Sequence, residues 1–147
     1  MTAKERNDFF YVCSLIEFTA RKTTNKRGVI IRALGENGLE KQLHDAEVNH
    51  CLSFEQVSDE IIEQYQISNG DFDTIIDCKY DIPGFMDIGK LYSIMIEDLA
   101  KQGEEIKEMI KIFSSFISDE ISDFSTDLYY QNPSYLECSY KAGYLLE

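Results

Sequence analysis

Histidine and cysteine are the side chains best suited to chemistry, and this chain holds few of either. His44 and His50 are its only histidines and lie six positions apart, whereas a metal pair on one helix face needs a spacing of three or four. Cys13, Cys51, Cys78 and Cys138 are scattered, with no C-x-x-C pair among them. A zinc site or a disulfide framework calls for closer or repeated spacing. The thiols are therefore expected to pack as small apolar groups in a reducing, cytoplasmic setting. No G-x-S-x-G, glycine-rich phosphate loop or H-E-x-x-H occurs, and these are the arrangements that would mark a nucleophile, a nucleotide site or a catalytic zinc. No catalytic residue, metal ligand or cofactor is assigned, and the expectation is a protein that is not an enzyme.

Two charged sets and one aromatic set carry what direction there is. Asp119, Glu120, Asp123 and Asp127 follow the end of an expected helix, where the helix dipole disfavours negative charge and a partner could relieve the cost. Glu97, Asp98, Glu104, Glu105 and Glu108 flank Gly103; Glu104 and Glu105 would open a helix, where the dipole already explains them. Phe124, Tyr129, Tyr130, Tyr135, Tyr140 and Tyr144 crowd the C-terminal end. Tyrosine gives contact area at low entropic cost and is enriched at interfaces, although these rings could equally pack the last helix onto the core. Asp119, Glu120, Asp123, Asp127, Tyr129 and Tyr130 are thus the first candidates for a protein-binding face. The basic set Arg21, Lys22, Lys26, Arg27 and Arg32 straddles the turn between the first two helices. It suits either a DNA-binding regulator contacting phosphates or a solvated face pairing with the chain's own acids.

Composition sets the limits. The chain has 147 residues, 27 acidic and 14 basic, for a formal net charge of −13. Residues 1–41 carry eight basic side chains against five acidic ones; residues 42–147 carry six lysines, no arginine and 22 acids. The acidic remainder repels nucleic acid and attracts basic partners, so nucleic acid ranks second to a protein partner. A homo-oligomeric scaffold is a third possibility. Apolar residues make up 44% of the chain, enough for a packed core. Two prolines and eight glycines exclude collagen-like, mucin-like and linker proteins. No apolar run approaches the roughly 20 residues of a membrane span, and the N-terminus lacks the pattern of a signal peptide.

Helical periodicity dominates the elements that must position these groups. Asn7 or Asp8 is expected to cap a helix over 8–22, followed by helices over 26–35 and 38–46 separated at Asn37-Gly38. Ser53-Phe54-Glu55-Gln56 fits a capping box opening a helix over 54–65. Asp87 is expected to cap 87–101, Gly103 ends it, a long helix spans 104–122, and Asn132-Pro133 opens the last, which stops at Gly143. The expectation is all-α: about seven helices in two small packed modules, 1–69 and 87–147. The irregular junction, residues 70–86, has room for one short strand pair.

Residues 9–65, through FFYVCSLIEFTARKTTNKRGVIIRALGENGLEKQL and VNHCLSFEQVSDEII, resemble a small helical domain-of-unknown-function family from Firmicutes mobile elements. Ala20, Lys22, Leu34, Gly38 and His50 stand at the matching positions. Residues 82–144, through IPGFMDIGKLYSIMIEDL and LYYQNPSYLECSYKAGYLL, are similar to companion proteins from the same gene neighbourhoods, beside ADP-ribosyltransferase-like toxins. The resemblance implies an antitoxin or immunity-like role with a toxin-like enzyme as partner. It supplies no catalytic or ligand residues.

Overall fold

Thr2, rather than Asn7 or Asp8, caps the first helix, α1 (Ala3–Thr23). Thr2 Oγ1 accepts the Glu5 amide at 3.1 Å, and the Glu5 carboxylate accepts the Thr2 amide at 3.3 Å. This reciprocal box satisfies two orphan amides and starts the helix before the apolar pattern begins. The structure is a computed structural model describing residues 1–147. In it every residue from Tyr11 to Glu17 is buried. A helix with one apolar face cannot do that; α1 is enclosed, with α2 (Arg27–Asn49), α3 (Phe54–Gln64) and α4 (Phe85–Leu99) packed around it.

The α1–α4 crossing is the tightest. A Cβ placed on Gly89 of α4 would come within 2.0 Å of Ser14 Oγ and 2.7 Å of Ser14 Cα. Only the missing side chain lets the backbones approach this closely. Asp87, two residues earlier, is the third residue of α4 and not its cap; its carboxylate accepts the Gly84 amide at 3.0 Å.

Two expected boundaries move. The helices expected over 26–35 and 38–46 form one kinked element, and the kink falls at Gly35, with φ 67° and ψ −177°. Gly38 serves close packing instead: a Cβ there would meet Tyr65 Oη at 3.0 Å. Conversely, the helix expected over 104–122 divides into α5 (Glu105–Phe113) and α6 (Phe116–Ile121). The break falls at Ser114-Ser115, where Ser115 is extended and its hydroxyl donates to Ile112 O at 2.7 Å. Serine competes with the helical backbone in this way, which favours helix ends.

The junction holds no strand. Residues 68–72 strap onto the C-terminal end of α1, whose last carbonyls lack helical partners. The Gly70 amide donates to Thr23 O at 2.8 Å and the Phe72 amide to Thr24 O at 2.9 Å. Asn25 Nδ2 returns a bond to Ser68 O at 2.9 Å. After a 3₁₀ turn (Leu128–Tyr130), α7 (Pro133–Ala142) follows the expected pattern: Asn132 Oδ1 accepts the Ser134 amide at 2.9 Å, and Gly143 closes the helix with φ 87°.

The structure is all-α, with seven α-helices and no strand. One hydrophobic cluster of 28 buried residues draws on both expected modules, from Val12, Leu15 and Ile30 to Met95, Phe113 and Leu136. Tyr92 and Phe113 stack at its centre, with ring centroids 4.2 Å apart and planes 12° from parallel. No helix is long and apolar enough to cross a membrane.

Candidate functional site

Glu17 is the only charged residue between Phe9 and Ala20, and the fold buries it at 3% exposure. A buried carboxylate needs a paired charge and filled lone pairs. Arg27, the first residue of α2 and equally buried at 3%, supplies both. Its Nε donates to Glu17 Oε1 at 2.6 Å and its Nη2 to Glu17 Oε2 at 3.2 Å. The remaining guanidinium edge donates to Tyr92 Oη at 3.0 Å, Ser118 O at 2.8 Å and Ser122 Oγ at 2.7 Å. One arginine thereby joins α1, α2, α4 and α6.

Arg21, one turn beyond Glu17, donates Nε to Glu17 Oε2 at 3.0 Å and Nη2 to Pro83 O at 2.9 Å. Its guanidinium also lies 5.3 Å from the centroid of the Phe124 ring. Burial pushes the Glu17 carboxyl up, but the charges and hydrogen bonds of Arg27 and Arg21 outweigh it, leaving its pKa below the ordinary value. Burial likewise works against the Arg27 charge, and Glu17 more than offsets it, so that pKa rises. The cleft beside this network has about 30 Å³ of free space, room for one water and no larger ligand.

The Phe124 ring under Arg21 also lines an open groove at the surface, and Pro83 follows two of the groove's residues, Tyr80 and Asp81, in the chain. The groove has a volume of about 570 Å³ and is lined by Tyr80 and Asp81 from the junction and by Phe124–Asp127, Tyr129 and Tyr130. Tyr80 and Tyr130 are 68% and 73% exposed, unusual for rings of this size in adjacent positions. Tyr129 and Tyr130 stand with centroids 4.0 Å apart, and Tyr129 meets Phe124 edge-on at 6.0 Å. The Tyr129 hydroxyl is pushed up to about 12 by desolvation first, then by Tyr130 and the charges of Asp81 and Asp87. Neither Asp81 nor Asp127 forms an ion pair within the chain.

The structure gathers three of the expected partner-binding residues, Asp127, Tyr129 and Tyr130, into this groove. Asp119, Glu120 and Asp123 are exposed but do not line it. Because the helix breaks at Ser114-Ser115, Asp119 lies in the first turn of α6, where the dipole favours it, and it accepts Lys26 Nζ at 3.2 Å. Asp123 caps the following turn by accepting the Ser125 amide at 3.1 Å. The local penalty expected at Asp119 is therefore absent, whereas Asp123 still lies just beyond the C-terminal end of α6. Tyr80 and Asp81 were hidden from sequence reasoning because the junction carries no periodic signal to place it.

The basic set disperses. Arg27 is buried and Arg21 is committed to Glu17, so neither stands free for a phosphate. Lys22 pairs with Glu55 and Asp59, and Lys26 with Asp119. Arg32 alone is exposed without an ion pair. His44 sits beside Asp45, and the His50 ring meets Tyr11 edge-on. No three His, Cys, Asp or Glu side chains gather in a metal-holding group. Cys13 is buried, its thiol pushed up by burial, but Cys51 and Cys138 are exposed rather than packed. No family model, curated protein or solved structure matches this chain.

Proposed function

We propose that this chain is a non-enzymatic protein-binding module that holds a partner against its acidic, tyrosine-rich C-terminal surface. The observation that carries the reading is the groove of Tyr80, Asp81, Asp127, Tyr129 and Tyr130: large exposed rings beside carboxylates that have no cation of their own. Exposed tyrosine offers contact area, and the unpaired carboxylates beside it offer charge complementary to a basic partner. The flanking acids Glu120 and Asp123 extend the same field and would steer such a partner to the site. The resemblance to proteins from toxin-bearing mobile elements supplies the partner class, a toxin-like enzyme restrained by this chain.

Reversing Glu120, Asp123 and Asp127 to lysine tests the reading. All three are exposed, and none forms an ion pair. Loss of the complex with an unchanged helical circular dichroism spectrum is the expected result. Unchanged affinity would remove this surface from the account.

A further inference from the structure

Resting on that reading, we infer that the groove is a slot for an arginine side chain, carried on an exposed segment of the partner protein. The molecule already practises this chemistry on itself. Arg21 lies over Phe124 at 5.3 Å and Arg27 over Tyr92 at 5.1 Å, each while pairing with Glu17. In both, a guanidinium has an aromatic face on one side and a carboxylate at its edge. The groove repeats those two components with the cation left out: the exposed Tyr130 ring against Tyr129, and the unpaired carboxylates of Asp81 and Asp127.

Arginine fits this pairing better than lysine. Its planar fork stacks on a ring while donating in plane to a carboxylate, and it sheds water more readily than an ammonium. The two carboxylates line the groove from different segments, Asp81 from the junction and Asp127 from the turn after α6, so both of its sides carry negative charge for a cation. Arg21 holds the Phe124 ring of one wall and, through Pro83 O, the chain just beyond Asp81, and it does not line the groove itself.

The test titrates the ¹⁵N-labelled full chain with a capped glycine–serine pentapeptide bearing one central arginine, alongside citrulline and lysine counterparts. The arginine peptide is expected to give saturable shifts at residues 80–81 and 127–130, with affinity near the millimolar range, about that of one weak contact. Citrulline, which keeps the shape and loses the charge, should bind at least about tenfold more weakly, a factor that reflects loss of one charge-assisted contact. Tyr130→Ala and, separately, Asp127→Asn should each abolish the localised shifts while leaving the remaining spectrum unchanged. Equal binding of lysine, equal binding of citrulline, or shifts spread over the whole acidic surface would each overturn the slot. A partner whose complex is broken by the triple charge reversal but withstands Tyr130→Ala would sink the slot and leave the docking surface standing.

Discussion

The Arg27 guanidinium meets the Glu17 carboxylate at 2.6 Å in the interior, where both side chains are almost fully enclosed. The Nη1 group of Arg27 is also bonded, to Tyr92, Ser118 and Ser122, so the pair has few unsatisfied groups to weigh against it. Ion pairs of this kind add little net stability compared with a well-packed apolar pair, yet breaking one leaves a buried charge uncompensated. Replacing Glu17 by Gln should therefore destabilise the chain by about 3–5 kcal/mol. Chemical denaturation of Glu17→Gln, Arg27→Met and the double variant measures this. The double variant should lose less than the sum of the two singles.

The same pair sets a pH dependence. The Glu17 pKa is lower in the folded chain than in the unfolded one, so its contribution is present above the ordinary carboxylate range, near pH 4.3. That contribution is lost as the pH falls through its folded value. Glu137 on α7 acts in the opposite direction. Its carboxyl is pushed up to about 7 by desolvation first, then by Asp98 on α4, against a smaller opposing effect of Lys141. Its Oε2 is buried with no donor in reach, so Glu137 bonds Asp98 by holding a proton of its own. Stability from this contact is complete below about pH 4.3 and fades as the pH rises through about 7. The melting temperature should accordingly rise from pH 8 to pH 5.5. Self-repulsion of a chain with net charge −13 acts in the same direction, so the decisive comparison is Glu137→Gln, which should flatten part of that slope.

The Gly89–Ser14 crossing gives a steric prediction. An added methyl at position 89 would meet Ser14 Cα and N at 2.7 Å, which are backbone atoms that no side-chain rearrangement can remove. Gly89→Ala should cost about 1–3 kcal/mol or more through overpacking. Ser14→Gly removes only the Oγ contact, so combining it with Gly89→Ala should restore little of the loss in a denaturant titration.

Groove residues should behave oppositely to these interior positions. Tyr80→Ala and Tyr130→Ala alter rings that are mostly exposed, and each should change unfolding free energy by no more than about 0.5 kcal/mol. A larger loss in thermal denaturation would mean that the rings serve the fold rather than a partner.

The contrast between Glu17 and Ser53 shows what the sequence made legible. Asn132-Pro133 and Gly143 act within a few residues of themselves and perform the capping roles their types and spacing announce. Ser53 forms half of the expected box: its hydroxyl accepts the Gln56 amide, without the return bond from the Gln56 side chain. Of the α4 stripe Ile88, Leu91, Met95 and Leu99, the first three are buried and Leu99, at the helix end, is partly buried against the core. By its type and neighbours in the chain, Lys22, Lys26 and Arg32, Arg27 reads as a solvated cation; its partner Glu17 lies across a turn, which local pattern does not reveal. One signal was available: a lone acid inside an otherwise uncharged stretch, Phe9 to Ala20, calls for a buried counter-charge. The groove was only half legible, since Tyr129 and Tyr130 stood out by composition. Tyr80 and Asp81 join them only through tertiary contacts of an aperiodic segment. The uneven distribution of charge also finds part of its explanation inside the molecule, in Arg6–Glu97 and Lys26–Asp119. Both are exposed pairs of the kind that contribute little to stability.

The most direct measurement is hydrogen exchange on the native complex, captured from the host with tagged full-length chain under nuclease treatment and compared with the chain alone. New protection is expected to concentrate in residues 78–87 and 123–131, which carry the groove, with the start of α2 unchanged. Protection confined to residues 26–37, or a complex that dissolves under nuclease, would contradict it.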